Sequence, residues 1–202
     1  MPALANIAKI NGIVISGAPA VSDAHTLIAT ATASGSATLS FVLGLDSLYD
    51  AYEFRFTNMH PASDSVDFLF QVNAAGASGF NETITSTNFR AIHDEPDSLA
   101  QVAYDTGDDQ AQGTGYQSIA NYQGKDNDQG VSGVLTLYAP SSTTYVKHFT
   151  SRVNAIASND YVNDSFVGGY INVTAAIDEI SFKFSSGNID LGVIKMYGIA
   201  KA

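Results

Sequence analysis

Cysteine and tryptophan are both absent from the 202 residues of this sequence. Without cysteine there are no disulfides, no thiolate metal sites and no cysteine nucleophiles. Charge is also scarce, because only 14% of residues are charged, and 9 basic against 20 acidic side chains give a formal net charge of −11. A surface of that sign repels phosphate backbones, so we expect no nucleic-acid partner.

Long apolar runs are missing as well. No run approaches the ~20 residues that a membrane helix needs, and the N-terminus lacks the basic and apolar regions of a signal peptide. We therefore expect a soluble chain, made in a cytoplasm, with no membrane partner. Its length suits one domain, or one domain with an arm.

What is present is an alternation of apolar and polar side chains typical of β-strands. "YEFRF" places Tyr52, Phe54 and Phe56 on one face, and "DFLFQV" does the same for Phe68 and Phe70. Similar runs, rich in β-branched and aromatic residues and bounded by turn formers, cover 133–139, 144–150, 169–174, 179–185 and 192–199. About eight such strands without a βα alternation predict an all-β, antiparallel sandwich, with a jelly roll as the leading topology.

The same alternation predicts which side chains fill the core and which lie outside it. His148 alternates with Val146 and is expected on a sheet surface. The residues expected inside are Phe54, Phe56, Phe68, Phe70, Phe182, Phe184 and Tyr197.

The stretch nearest to a helical pattern is "DEPDSLAQVAYDTG", which fits one short helix or a loop. It lies within a polar stretch, 93–130, that holds eight acidic residues against the single base Lys125. A solvated loop region is the plain interpretation of that stretch.

Residues 1–38 differ from the rest, since Lys9 and Asp23 are their only charged side chains. We assign 1–38 to an N-terminal arm and 39–202 to the sandwich domain. Asn11-Gly12, between two short apolar runs, predicts a hairpin with a type I′ turn. An exposed apolar hairpin invites aggregation unless it is covered, so we expect it to dock on its own sandwich or on another subunit. The residues expected to contact a partner are Ile7, Ile10, Ile13 and Ile15.

The stretch "FTNMHPASDSVDFLFQV" combines His60 with nearby carboxylates and could be a site or a turn. Pro61 suits a loop beside a strand, and Asp64 with Ser65 suits the start of a turn, so we interpret it as a hairpin connection. The four histidines form no pair at metal-ligand spacing, and no nucleophile elbow or phosphate-binding glycine loop occurs. We therefore predict no enzyme and no cofactor.

"KDNDQG" supplies a weak calcium candidate. Asp126, Asp128 and Gly130 match the first half of a calcium loop, but the acidic bidentate ligand expected further on is missing. A charged surface turn is the alternative.

Several blocks resemble small virion structural proteins of tailed phages, a group best represented among marine phages. The most specific block is "SSGNIDLGVIKMYGI" (185–199), followed by "FTNMHPASD" (56–64) and the early "IAKINGI". The similarity spans roughly residues 41–199. It implies a particle component, located in the virion, without enzymatic residues.

Two functions fit that implication. The first is a capsid decoration or cement protein, trimeric, docked through residues 1–38 on the major capsid protein or another virion protein. The second is a tail-fibre, head-fibre or receptor-binding module, in which Tyr104, Tyr116 and Tyr122 face a host glycan. A carbohydrate-active enzyme on the same fold is a third, weaker hypothesis.

Overall fold

The computed structural model of the protein describes residues 8–10, 13–15 and 24–200. All regular structure in these ranges is β-strand, as the alternation predicts. The strands are β1 (Ala8–Ile10), β2 (Ile13–Ile15), β3 (His25–Thr32), β4 (Leu39–Phe41), β5 (Ala51–Pro61), β6 (Val66–Ala74), β7 (Ile84–Asp94), β8 (Ala100–Tyr104), β9 (Ala111–Gly113), β10 (Gln117–Gln123), β11 (Val131–Tyr138), β12 (Lys147–Ile156), β13 (Tyr161–Ile171), β14 (Ile177–Phe184) and β15 (Ile189–Ile199).

Two antiparallel sheets form the predicted β-sandwich. The large sheet has nine strands in the order β3-β15-β5-β11-β12-β13-β7-β8, with β9 also paired to β7. The small sheet has four strands in the order β10-β6-β14-β4. A separate antiparallel pair, β1 and β2, places Ile10 opposite Ile13, in agreement with the predicted hairpin; the predicted turn residues 11–12 lie outside the described residues.

Eight of the strands are wound as a jelly roll. Taken in chain order they are β3, β4, β5, β6, β10, β11, β14 and β15, and they pair first with last, second with seventh, third with sixth and fourth with fifth. Strands β6 and β10 are neighbours in the small sheet, while all the other successive strands of this set alternate between the sheets, and the two sheets close over one interior.

Two insertions enlarge only one of the sheets. Strands β7 to β9 lie between the fourth and fifth strands of the winding, and β12 with β13 lie between the sixth and seventh. All five add to the large sheet beyond β11, and we call these five strands the extended wing. The large sheet therefore presents a much broader outer face than an eight-stranded sandwich would.

Aromatic rings from both sheets meet in the core. The ring of Phe182 on the small sheet lies 5.5 Å from that of Phe54 and 5.2 Å from that of Phe56, both on the large sheet. The six phenylalanines predicted inside are all buried. Rings at these separations add about 0.5–1.5 kcal/mol per pair beyond their buried area.

Tyr197 is the wrong member of the predicted core. It is half-buried on the outer face, where the guanidinium carbon of Arg55 lies 4.7 Å from its ring centre. The adjacent Met196 and, two residues before it, Ile194 point inward instead. In "GVIKMYGI" apolar residues fall on both faces, so alternation alone could not choose between them.

The predicted hairpin connection after β5 is also wrong. Strands β5 and β6 lie in different sheets, and residues 62–65 cross from one to the other. His60 and Pro61 belong to β5, where Pro61 pairs with Ile189. The two apolar faces do face each other, but across the core, and periodicity carries no information about which sheet a strand joins.

The polar stretch 93–130 is more ordered than predicted. The segment interpreted as a short helix or a loop contains β8, an edge strand paired to β7. Within β10, Gln117, Ile119 and Asn121 are buried. Polar residues can lie inside when partners from distant strands satisfy them, and sequence spacing does not reveal those partners.

Strand β3 lies inside the range 1–38 assigned to the arm. It pairs along its length with β15 and forms an edge of the large sheet. The sandwich as observed therefore includes residues from His25 onward. None of the described residues forms a helix of the length and apolar character that a bilayer crossing requires.

Candidate functional site

The four histidines lie apart in the sandwich. His25 is 3.3 Å from Glu53, His93 is 3.0 Å from Asp97, and His148 is exposed on the sheet surface as predicted. Within the described residues, no group of three or more His, Asp or Glu side chains is arranged to hold a metal ion.

The calcium candidates Asp126 and Asp128 lie in an exposed turn. The backbone oxygen of Asp126 accepts a hydrogen bond from the amide of Gln129 at 2.8 Å, and the Asp126 amide donates to the Gln129 side chain at 3.0 Å. The Nε2 atom of His60 is 3.1 Å from the same Asp126 oxygen. Backbone and amide groups therefore shape this turn.

A β-bulge in β5 lies directly beneath that turn. Thr57 and Asn58 together face the single residue Ser132 on β11, and Asn58 and Met59 together face the single residue Gly192 on β15. Asn58 has a left-handed backbone, with φ of 48°. The extra residue exposes two consecutive side chains, Thr57 and Asn58, before Met59 turns inward.

The bulge forms the floor of an open cavity of about 630 Å³. We call it the bulge cavity. Its walls are side chains on the outer faces of β11, β12 and β15, and its rim is the turn after Asp126. The residues that define it are Thr57, Asn58, Ser132, Asn154, Leu191 and Asp128.

One line of directly paired residues, one from each successive strand, crosses the outer face of the large sheet. Cross-strand pairing connects Lys195 to Arg55, Arg55 to Val134, and Val134 to Arg152. It continues from Arg152 through Phe166 and Phe89 to Tyr104. We call this set the outer-face row. Its three cations lie within its first four positions, and its three aromatic rings lie at the other end, on the extended wing.

The aromatic end of the row is tightly stacked. The rings of Phe89 and Phe166 are parallel with centres 4.9 Å apart, and the guanidinium of Arg152 covers Phe166 at 4.9 Å. Asp164 accepts a hydrogen bond from Arg152 at 2.8 Å, which holds the guanidinium in place. Phe89 is nevertheless 44% exposed and borders a shallow cavity of about 380 Å³.

A polar cluster lies on the inner side of the same wing. The Nε atom of Arg90 is 3.2 Å from Asp105 but is not aligned for a hydrogen bond, and Asn121 donates to Asp105 at 2.8 Å and to Asp108. Burial raises the pKa of Asp108 to about 6; the bond from Asn121 lowers it, while the charges of Asp105 and Asp67 add to the rise. Burial likewise raises the pKa of Asp67.

The three tyrosines proposed to face a glycan have other contacts. The hydroxyl of Tyr104 donates to Asp109 at 2.6 Å, Lys183 lies over the ring of Tyr116 at 4.4 Å, and Arg90 lies over that of Tyr122 at 5.0 Å. Two of these rings are covered on one side by a cation, so they offer less free surface for a sugar to stack on.

The predicted partner residues belong to the N-terminal segment. Ile7 lies outside the described residues, and so do the side chains of Ile10, Ile13 and Ile15. Their contact with a partner stays a prediction.

Sequence reasoning missed the outer-face row. The run "ITSTNFRAIHD" does alternate, and its odd positions 85, 87, 89, 91 and 93 form the outer face of β7. The alternation is weak because residues 85–88, Thr-Ser-Thr-Asn, place small polar side chains on both faces of the strand.

Comparison with known protein families, with curated proteins and with solved structures finds no match for this chain.

Proposed function

We propose that this chain is a structural protein of a phage virion that decorates the capsid. The outer-face row is the observation that carries the proposal. Arg, Tyr and Phe are the residues enriched in the cores of protein interfaces, and here they form one continuous row on a broad sheet. A neighbouring virion protein that covered the row would bury its exposed rings.

The sequence blocks that resemble phage virion proteins support a virion protein as the partner that covers the outer-face row. The major capsid protein is the partner, with the segment ahead of His25 adding a second contact through strand pairing, whose main-chain hydrogen bonds supply affinity. We also propose that the chain forms a trimer, which would place three outer faces around one axis. Light scattering on the purified chain measures its oligomeric state, and a monomer at particle-assembly concentrations contradicts the trimer.

The row can be tested with a matched pair of substitutions. Phe89→Ser removes an exposed ring from the row, whereas Val162→Ser changes a similarly exposed residue, also on the extended wing. We expect Phe89→Ser to reduce incorporation into particles at least tenfold and Val162→Ser to leave it unchanged. Equal incorporation of both variants contradicts a docking role for the row.

The decoration role predicts particle stability and copy number. Particles stripped of this protein should lose resistance to heat and osmotic shock, and unchanged resistance contradicts the role. Quantitative mass spectrometry of particles should find hundreds of copies. A few dozen or fewer would support the second candidate, a fibre or receptor-binding module, which the stacked and exposed rings of the wing also favour.

A further inference from the structure

The bulge cavity is built on rigid strands and contains local backbone strain. The left-handed Asn58 is held by Ser132, whose hydroxyl accepts from the Asn58 amide at 3.0 Å. A Cβ atom at Gly192 would be 2.7 Å from both the Asn58 oxygen and the Met59 Cα, so only glycine lets β15 approach the bulge this closely. Strain of this kind at a non-glycine residue, maintained by its neighbours, clusters at ligand sites.

The side chains that line the cavity suit an uncharged, hydroxyl-rich ligand. Asn58, Asn154 and Ser132 offer neutral donors and acceptors, and Asp128 is the one carboxylate. None of the described lining residues is Lys or Arg, which disfavours phosphates, sulfates and carboxylates.

One wall of the cavity is apolar. Leu191, which is 64% exposed, lines the β15 wall with Val193, and Ile156 lines the opposite wall on β12. A polar floor facing an exposed apolar wall suits a ligand with hydroxyls on its edges and C–H groups on its face. Sugar rings have both features.

We propose that the bulge cavity binds a neutral oligosaccharide. Its volume of about 630 Å³ lies within the roughly 300–1,000 Å³ range of ligand sites. The side-chain amides exchange hydrogen bonds with sugar hydroxyls, Asp128 accepts from hydroxyls at the rim, and Leu191 packs against a ring face. This inference goes beyond the proposed capsid function, because docking on a virion partner requires no sugar. It also differs from the glycan hypothesis based on Tyr104, Tyr116 and Tyr122, none of which lines this cavity.

The test uses the full chain and a panel of hexasaccharides. The neutral members are maltohexaose, cellohexaose, laminarihexaose, xylohexaose and a linear mannohexaose, and a hyaluronan hexasaccharide is the anionic comparison. Asn154→Trp fills the cavity from an exposed position on β12. Thr150→Trp is the matched control, on the same strand and face but outside the cavity. Asp128→Ala removes the carboxylate with little added volume.

Binding is measured by calorimetry or ligand-observed NMR, with the melting temperature of each variant recorded. We expect the chain to bind at least one neutral hexasaccharide more strongly than the hyaluronan hexasaccharide. Asn154→Trp should weaken that binding at least tenfold and Asp128→Ala about three- to tenfold, while Thr150→Trp should leave it within twofold.

Three outcomes overturn the proposal. They are no binding of any neutral hexasaccharide, binding that Asn154→Trp does not affect, and binding that Thr150→Trp abolishes instead. A synthetic peptide of residues 1–23 provides a further test. If it displaces the bound hexasaccharide from the cavity and binds at a lower concentration than the hexasaccharide does, the proposal is also overturned, because the occupant would then be a segment of this chain. None of these results bears on incorporation into particles, so the capsid proposal is tested separately.

Discussion

The ammonium group of Lys147 lies 3.1 Å from the backbone oxygen of Val173 in a fully buried position. It also donates to the oxygens of Tyr145 at 2.9 Å and Thr174 at 3.0 Å. Burial lowers the pKa of this lysine. A single cation therefore ties the start of β12 to the chain that leaves β13.

Replacing that cation should be strongly destabilising. Lys147→Met keeps the apolar stem but leaves three carbonyl oxygens without their donor, and we expect the free energy of unfolding to fall by about 2–4 kcal/mol. Lys195→Met, at an exposed position of β15, should change it by less than about 0.5 kcal/mol. Urea unfolding of both variants measures the difference, and similar losses would contradict the bonding described here.

Two adjacent glycines of β13 should respond very differently to alanine. A Cβ at Gly169 would clash with the backbone oxygen of Thr85 and lie 2.9 Å from the Cα of Ser86, whereas at Gly168 the nearest atom is 3.9 Å away. Backbone atoms of a central strand cannot move aside, so Gly169→Ala should destabilise by about 2–4 kcal/mol. Gly168→Ala should be neutral or slightly stabilising, because alanine loses less entropy on folding. Thermal unfolding of the pair checks the pairing of β13 with β7.

The polar cluster should make stability depend on pH. The pKa of Asp108 is about 6 in the fold against 3.8 for the free side chain, so the folded chain holds this proton more tightly than the unfolded chain. The free energy of unfolding should therefore fall as pH rises from about 4 to above 6, by about 1–2 kcal/mol once partial solvent screening is allowed for. Asp108→Asn should reduce this dependence of the free energy of unfolding on pH, and the contribution of Asp67 should remain. An equally steep slope in the variant would contradict the assignment.

Phe182 and Tyr197, both predicted in the core, should differ widely in how much they stabilise the fold. Phe182 touches rings from both sheets, so Phe182→Ala should cost about 3–5 kcal/mol. Tyr197→Ala removes an outer-face ring with its contacts to Arg55 and His25, for which we expect about 1 kcal/mol. Denaturant midpoints that placed the two losses within 1 kcal/mol of each other would argue against the outward position of Tyr197.

Alternation predicted the strands whose inner face is apolar. Phe54 and Phe56 on β5, and Phe68 and Phe70 on β6, show their burial in the sequence because every second residue is large and apolar. Strand β7 escaped detection because its inner face carries Ser86 and Asn88, which are buried beside other polar groups. The bulge cavity was equally hidden, since one extra residue at Asn58 shows in no pattern and exists only relative to the neighbouring strands.

The order of side chains along the chain was enough to determine a cysteine-free, two-layer β-sandwich with a phenylalanine core, because a period of two assigns each residue to a face. Only the tertiary structure decided which sheet each strand joined, how the insertions widened one sheet, and that Lys147 lies inside while Tyr197 lies outside. The physical reason is that a strand's own sequence specifies its faces, whereas its neighbours, its register and the satisfaction of its polar groups depend on segments distant in the chain.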